Sequence, residues 1–271
     1  MQDLIKTFSA RLLHSNAILV IVQASQGSVP REVGAWMAVF ADAALGTVGG
    51  GRLEHDALAH ARALLQDPSL PVLLDYALGP SLGQCCGGRV TLAFEPLSAH
   101  DLPTLVQRLQ TLQPPPMPVA LFGSGHVGNA LVRALSLLPM RLTWIDSRDQ
   151  AFPSGTPAGV QCEHSSPVQG AVAGLAPQSR VLVMSFSHAE DLAVVTACLL
   201  RQRQQGDLPF IGLIGSKTKW ATFRHRLQDK GFSAAELAHV TCPIGLPGRS
   251  DKRPEVIAAL VAAQLLLIQA L

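Results

Sequence analysis

The chain has 271 residues, 48% of them hydrophobic and 15% charged, with a formal net charge of +2. That length supports about two domains with cores of their own. The near-neutral balance, without any Lys/Arg run, excludes the electrostatic footprint of a nucleic-acid binder.

Five cysteines are an odd number without framework spacing, which argues for reduced thiols and against a disulfide scaffold. The stretch MQDLIKTFSARLLHSN carries charges at Asp3, Lys6 and Arg11 and does not read as a signal peptide. The longest apolar tract, VIAALVAAQLLLIQAL, is interrupted by two glutamines and falls short of the ~20 residues of a membrane span. A cytoplasmic protein is expected, with neither nucleic acid nor membrane as partner.

In chain order, QDLIKTFSARLLHS has helical periodicity, AILVIVQA and AWMAVFA read as strands, and RLEHDALAHARALLQ reads as a helix. VLLDYAL and VTLAFEPL are two more strands, and DLPTLVQRLQTL closes this part as a helix. The three consecutive prolines of QPPPMP, residues 113–118, cannot continue a helix and form a stiff spacer. They divide the chain into an N-terminal domain, 1–112, and a C-terminal domain, 119–271. Strand and helix alternate only loosely upstream, which predicts a small mixed α+β domain.

Downstream the alternation is regular: VALFGSG, RLTWID, RVLVMSF and FIGLIG are strands, and HVGNALVRALSLL, AEDLAVVTACLLRQ, KWATFRHRLQDKG and RPEVIAALVAAQLLLIQ are helices. Short apolar strands between amphipathic helices predict an α/β domain whose parallel sheet is covered on both faces, a Rossmann-like doubly wound arrangement.

GSGHVG, with Gly123, Gly125 and Gly128, follows a strand and opens a helix, the context of a dinucleotide-binding fingerprint. Its glycines allow a pyrophosphate to approach the helix N-terminus. Asp146 ends the next strand, where an acid can bind ribose hydroxyls. The alternative is that these glycines serve helix–strand packing and the domain takes another ligand or none.

GTVGGGRLEHDAL is a second such turn, where Gly49, Gly50 and Gly51 can present backbone amides to a phosphate, or where Glu54 simply charges the first helical turn favourably. Arg31 lies on a loop between two strands, either a bidentate anion ligand or a solvated charge. In SFSHAEDL, His188 and Asp191 follow a strand's carboxyl end, where open α/β sheets bind ligands. Lys217 lies on a connecting loop at a later edge of that sheet.

LGQCCGGRV places Cys85 and Cys86 on a glycine-rich turn leading into a strand. Adjacent residues of a strand face opposite ways, so the pair is a poor chelate, unlike a CxxC loop. Free cysteines often pack as small apolar residues, yet the flanking glycines allow close approach of a ligand, and a soft thiolate suits a thiophilic metal or a sulfur-transfer step.

The strings GSVPREVGAWMAV, GTVGGGRLE, GPSLGQCCGGRVTLAFEPL, FGSGHVG, WIDSRDQAFP, IGLIGSKTKW and CPIGL, in this order, make the chain resemble the XdhC/CoxI family, the xanthine dehydrogenase accessory proteins. The resemblance implies an XdhC/CoxI-type N-terminal domain followed by a Rossmann-like one. It also implies a maturation factor, not an enzyme with turnover of its own, that binds molybdenum cofactor (molybdopterin) and protects it during sulfuration by a cysteine desulfurase. The cofactor is then inserted into apo-xanthine dehydrogenase. On that reading Cys85 or Cys86 lies near the molybdenum, both cysteines with Gln84, Arg31, Gly49, Gly50, Gly51, Glu54, Gly123, Gly125, His126, Gly128, Asp146 and His188 line cofactor-binding turns, and the chain is a homodimer. Ser187 stands where the family is expected to have Thr, and Gln264 where Glu is more usual. Two alternatives stand beside it: an NAD(P)-dependent oxidoreductase using the glycine fingerprint, and a persulfide-carrying sulfurtransferase with Cys85 or Cys86 as nucleophile.

Overall fold

The computed structural model describes residues 2–78, 87–112, 115–248 and 251–268. They fall into two compact units, Met1–Pro115 and Pro116–Leu271.

The N-terminal unit runs α1 (Gln2–Leu12), β1 (Ala17–Gln26), β2 (Trp36–Val39), β3 (Ala44–Gly46), α2 (Gly51–Gln66), β4 (Leu73–Ala77), β5 (Arg89–Leu97) and α3 (Leu102–Thr111). Its five strands form one antiparallel sheet in the order β3-β2-β1-β5-β4. The first six residues of β1 are all buried, because both faces of the sheet are covered. Ile18, Val20 and Val22 meet Leu53, Ala57, Ala61 and Leu64 of α2. Leu19 and Ile21 point the other way, into a core with Phe8 of α1 and Leu105 and Leu109 of α3. Burial of each such large apolar side chain contributes roughly 1.5–3 kcal/mol. The three-residue β3 has too few positions to show a period and was not legible in the sequence.

The C-terminal unit runs β6 (Met117–Phe122), α4 (His126–Leu135), β7 (Met140–Asp146), β8 (Gln161–His164), β9 (Arg180–Val183), α5 (His188–Gln205), β10 (Phe210–Leu213), α6 (Lys217–Asp229), α7 (Ala234–Leu237), β11 (Val240–Thr241) and α8 (Pro254–Leu267). All its strand pairs are parallel, in the order β11-β10-β9-β6-β7-β8. This is the doubly wound order, with its reversal between β6 and β9. Val119, Leu121 and Trp144 pack toward α4 and α8, whereas Ala120, Phe122 and Ile145 pack toward α5 and α6. β6 opens at Met117, so Met117 and Pro118 are strand residues and not spacer. The polar, largely exposed QCEH of β8 and the two-residue β11 carry no apolar run, which is why neither was expected.

Two fingerprint glycines are demanded by backbone proximity. Gly123 has φ +113°, and a Cβ there would lie 1.9 Å from the Met184 carbonyl oxygen. At Gly128 a Cβ would lie 2.2 Å from the Gly123 carbonyl oxygen, whereas Gly125 faces open space. Gly128→Ala is therefore expected to lower stability by about 1–3 kcal/mol through overpacking. Gly125→Ala is expected to stay close to wild type, and urea unfolding of the two variants side by side checks the contrast.

Candidate functional site

The crevice outside the carboxyl ends of β6 and β9 is where a doubly wound sheet receives a ligand. The loop Gly123–Ser124–Gly125 enters α4 there, with His126 exposed as the first helical residue. Asp146 reaches the loop from the end of β7. Its Oδ2 accepts from the Ser124 N–H and Oγ, both at 2.8 Å, and from Arg148 Nη2 at 2.9 Å, while its Oδ1 accepts from the Arg148 N–H and Nε.

Five donations saturate a carboxylate with about four lone-pair positions. Burial pushes the Asp146 carboxyl up, but the bonds from Arg148 and Ser124 outweigh it and hold the group well below the usual carboxylate range. The acid expected to bind ribose hydroxyls is thus occupied by the protein's own donors. The Arg148 guanidinium is engaged in the same knot: its Nη2 also donates to Ser124 Oγ at 3.0 Å, and it lies 4.7 Å from the centroid of the exposed Phe186 ring.

Beside the crevice, the carboxyl ends of β9 and β10 hold a second cluster. Asp191, in the first turn of α5, accepts from the Ser185 N–H at 2.7 Å and from Lys219 Nζ at 2.6 Å, and Lys219 also donates to the Ile214 carbonyl. This buried pair ties the start of α5 to the start of α6. The Ser185 Oγ is buried without a hydrogen-bond partner among the described residues. Burial pushes the nearby Cys242 thiol up to about 11, with Lys219 pulling it down and Asp191 pushing it up, so it stays protonated and is no nucleophile at neutral pH. His188 is exposed, with its ring edge-to-face to Phe223 at 6.3 Å.

In the N-terminal unit, the loop between β1 and β2 is flanked on both sides by glycine backbone. A Cβ on Gly49 would lie 2.5 Å from Pro30 Cγ, and one on Gly88 would lie 2.3 Å from the Ser28 carbonyl oxygen. The GTVGGG turn and the residues that follow the double cysteine therefore meet the same loop, which carries the half-buried Arg31. Arg31 has no ion-pair or hydrogen-bond partner among the described residues.

At the second turn, Glu54 itself supplies the anion: its Oε2 accepts from the Val48 N–H (3.2 Å), the Gly50 N–H (3.1 Å) and the Thr47 hydroxyl. Of the amides expected to face a phosphate, Gly50 is thus engaged by Glu54 and Gly49 donates to Thr47 Oγ1 at 3.2 Å, while Gly51 lies at the exposed start of α2. Gln84, Cys85 and Cys86 lie outside the described residues. Among the described residues no three metal-ligating side chains cluster, and no helix is long and apolar enough to cross a membrane.

Sequence reading missed Ser124, Arg148, Ser185 and Lys219. The only sequence signal for Arg148 was its position two residues after Asp146. The pKa direction of Asp146 fixes a sign: a carboxyl lower in the folded state contributes stability that is complete at neutral pH and lost as pH falls. Asp146→Asn is expected to cost about 2 kcal/mol at pH 7. Its deficit relative to wild type should narrow between about pH 5 and pH 2, as followed by denaturant unfolding across that range.

The comparisons with known proteins agree with this architecture. A family model described as the XdhC Rossmann domain matches residues 119–265, more than half of the chain, and one described as the XdhC and CoxI family matches residues 13–77. An uncharacterized protein of Escherichia coli (strain K12), YqeB, is 26% identical over 272 residues, covering 97% of this chain. The chain spans only 46% of that relative's length. A crystal structure described as a xanthine dehydrogenase from Bacillus halodurans has the same fold, with a TM-score of 0.79 at 20% identity, covering 98% of this chain and 95% of that one. With both of its characteristic parts matched in order, one on each compact unit, the chain belongs to the XdhC family.

Proposed function

We propose that this chain is a maturation factor for enzymes of the xanthine dehydrogenase type, one that binds molybdenum cofactor and has no turnover of its own. In this reading it shelters the cofactor while a cysteine desulfurase supplies sulfur, then assists insertion into the apo-enzyme. A homodimer in the cytoplasm would provide the shelter.

The observation that carries the reading is the convergence on the β1–β2 loop. That loop touches both the GTVGGG turn and Gly88, and Gly87 follows Cys86 directly in sequence. Arg31 on the loop is a cation without a partner among the described residues, suited to a cofactor phosphate. Gly49 and Gly88 are filled by this loop, whereas Gly50 and Gly87 face open space, where a ligand would meet main chain closely. A thiolate at Cys85 or Cys86 is the soft donor that a molybdenum centre or a sulfur transfer requires. Glu54 holds the turn in shape and in this reading does not contact the cofactor.

Purification from a host that makes molybdenum cofactor, followed by denaturation and mass spectrometry, tests the proposal. Wild type is expected to release pterin and molybdenum in near-equal amounts. Cys85→Ala or Cys86→Ala, and separately Arg31→Ala, should reduce both by about tenfold, equivalent to about 1.4 kcal/mol of binding. Nicotinamide without pterin would overturn the reading in favour of a nucleotide-dependent enzyme. Pterin retained in the double cysteine variant, with sulfuration lost, would instead identify a persulfide carrier. Because Asp146 is already saturated, no NADH binding that Asp146→Ala abolishes is expected in titrations to millimolar concentration.

A further inference from the structure

The C-terminal unit contains a concavity apart from the β6/β9 crevice. It measures about 420 Å³ and lies beyond the carboxyl ends of β10 and β11. That is the ligand side of a parallel sheet, but toward its edge. Ile214, Ile244, Leu246, Ile257 and Leu260 supply apolar walls, from the loops after the two strands and from α8. Lys217 and Lys252 also line it, and neither has an ion-pair or hydrogen-bond partner among the described residues.

The acid on the same rim does not neutralise them, because the Asp251 carboxylate is engaged by Arg253, with Nη2 to Oδ2 at 2.7 Å and Nε to both oxygens. Lys219, the other lysine of this helix start, is consumed by Asp191. Lys217 stands in the first turn of α6, which holds no acid. A cation is disfavoured at that end of a helix, so the arrangement is repulsive until an anion enters. The cavity also falls within the roughly 300–1,000 Å³ of small-molecule sites, with the usual composition of apolar walls and a few convergent polar groups.

We propose that this cavity binds a small organic phosphate, a phosphomonoester on an apolar or heterocyclic body of nucleoside size. Lys217 and Lys252 hold the phosphate as point charges, and the isoleucine and leucine walls hold the body. The site requires neither Cys85 nor Cys86, and it stands or falls independently of the cofactor reading above.

Isothermal titration of the full chain with AMP, adenosine and inorganic phosphate tests it. AMP is expected to bind saturably, with adenosine and phosphate each at least about tenfold weaker. Lys217→Ala combined with Lys252→Ala should weaken AMP by about tenfold or more, while Lys230→Ala, an exposed lysine at the far end of α6, leaves it unchanged. Both lysines are exposed, so melting curves of the double variant should overlay wild type. The proposal is overturned if AMP shows no saturable binding at millimolar concentration, or if adenosine or phosphate alone matches AMP. Binding that survives loss of both lysines, or that is lost equally with Lys230, overturns it as well.

Discussion

The C-terminal unit depends on one close approach. The loop after β6 runs so near the loop after β9 that Gly123 has no room for a Cβ against the Met184 carbonyl, and the first turns of α4 press as tightly on Gly123 through Gly128. Trp144, buried on β7, closes the arrangement by donating its indole N–H to the Gly123 carbonyl at 3.0 Å. Strand order, helix entry and the mouth of the crevice all follow from these contacts. Two of the three fingerprint glycines are accounted for by packing alone, and only Gly125 looks outward.

A second constraint is electrostatic. At both glycine-rich turns a carboxylate of the chain itself takes backbone N–H groups that a bound anion would otherwise use, Glu54 before α2 and Asp146 before α4. A helix N-terminus favours negative charge from any source, and an internal one comes at no cost in association entropy. The turns are thereby held in shape without a ligand. On the N-terminal unit Arg31, without a partner among the described residues, is left with capacity to receive an anion, whereas Arg148 on the other unit is paired with Asp146. Family membership and fold agree in both units, while the chemistry of each site rests on these local details.

The site was only partly legible. Arg31 and the glycine turns stood out because Pro, Gly and charge in a loop are visible locally. Their meeting was not, since it joins residues 28–30 to Gly49 and Gly88 across strands β1, β2 and β5. Lys219 was passed over because a lysine in an amphipathic helix reads as a solvated face. Only the packing of α6 against α5 brings it to Asp191, where burial of both ends makes the pair a structural tie.

The residues alone determined that there are two parts, that the second alternates β and α with fully apolar strands, and that a glycine-rich turn follows its first strand. Those properties are local: periodicity, proline and the run of apolar residues act within a few positions of themselves. They determined the family as well, through strings whose order along the chain survives folding unchanged. Tertiary structure alone decided which carboxylates are free. Asp146 carries the same charge and strand-end position whether it faces a ribose or an arginine, and the choice was made by Arg148 and Ser124 folding back onto it. Hydrogen-bond saturation is a property of three-dimensional neighbours, and no spacing in the sequence encodes it.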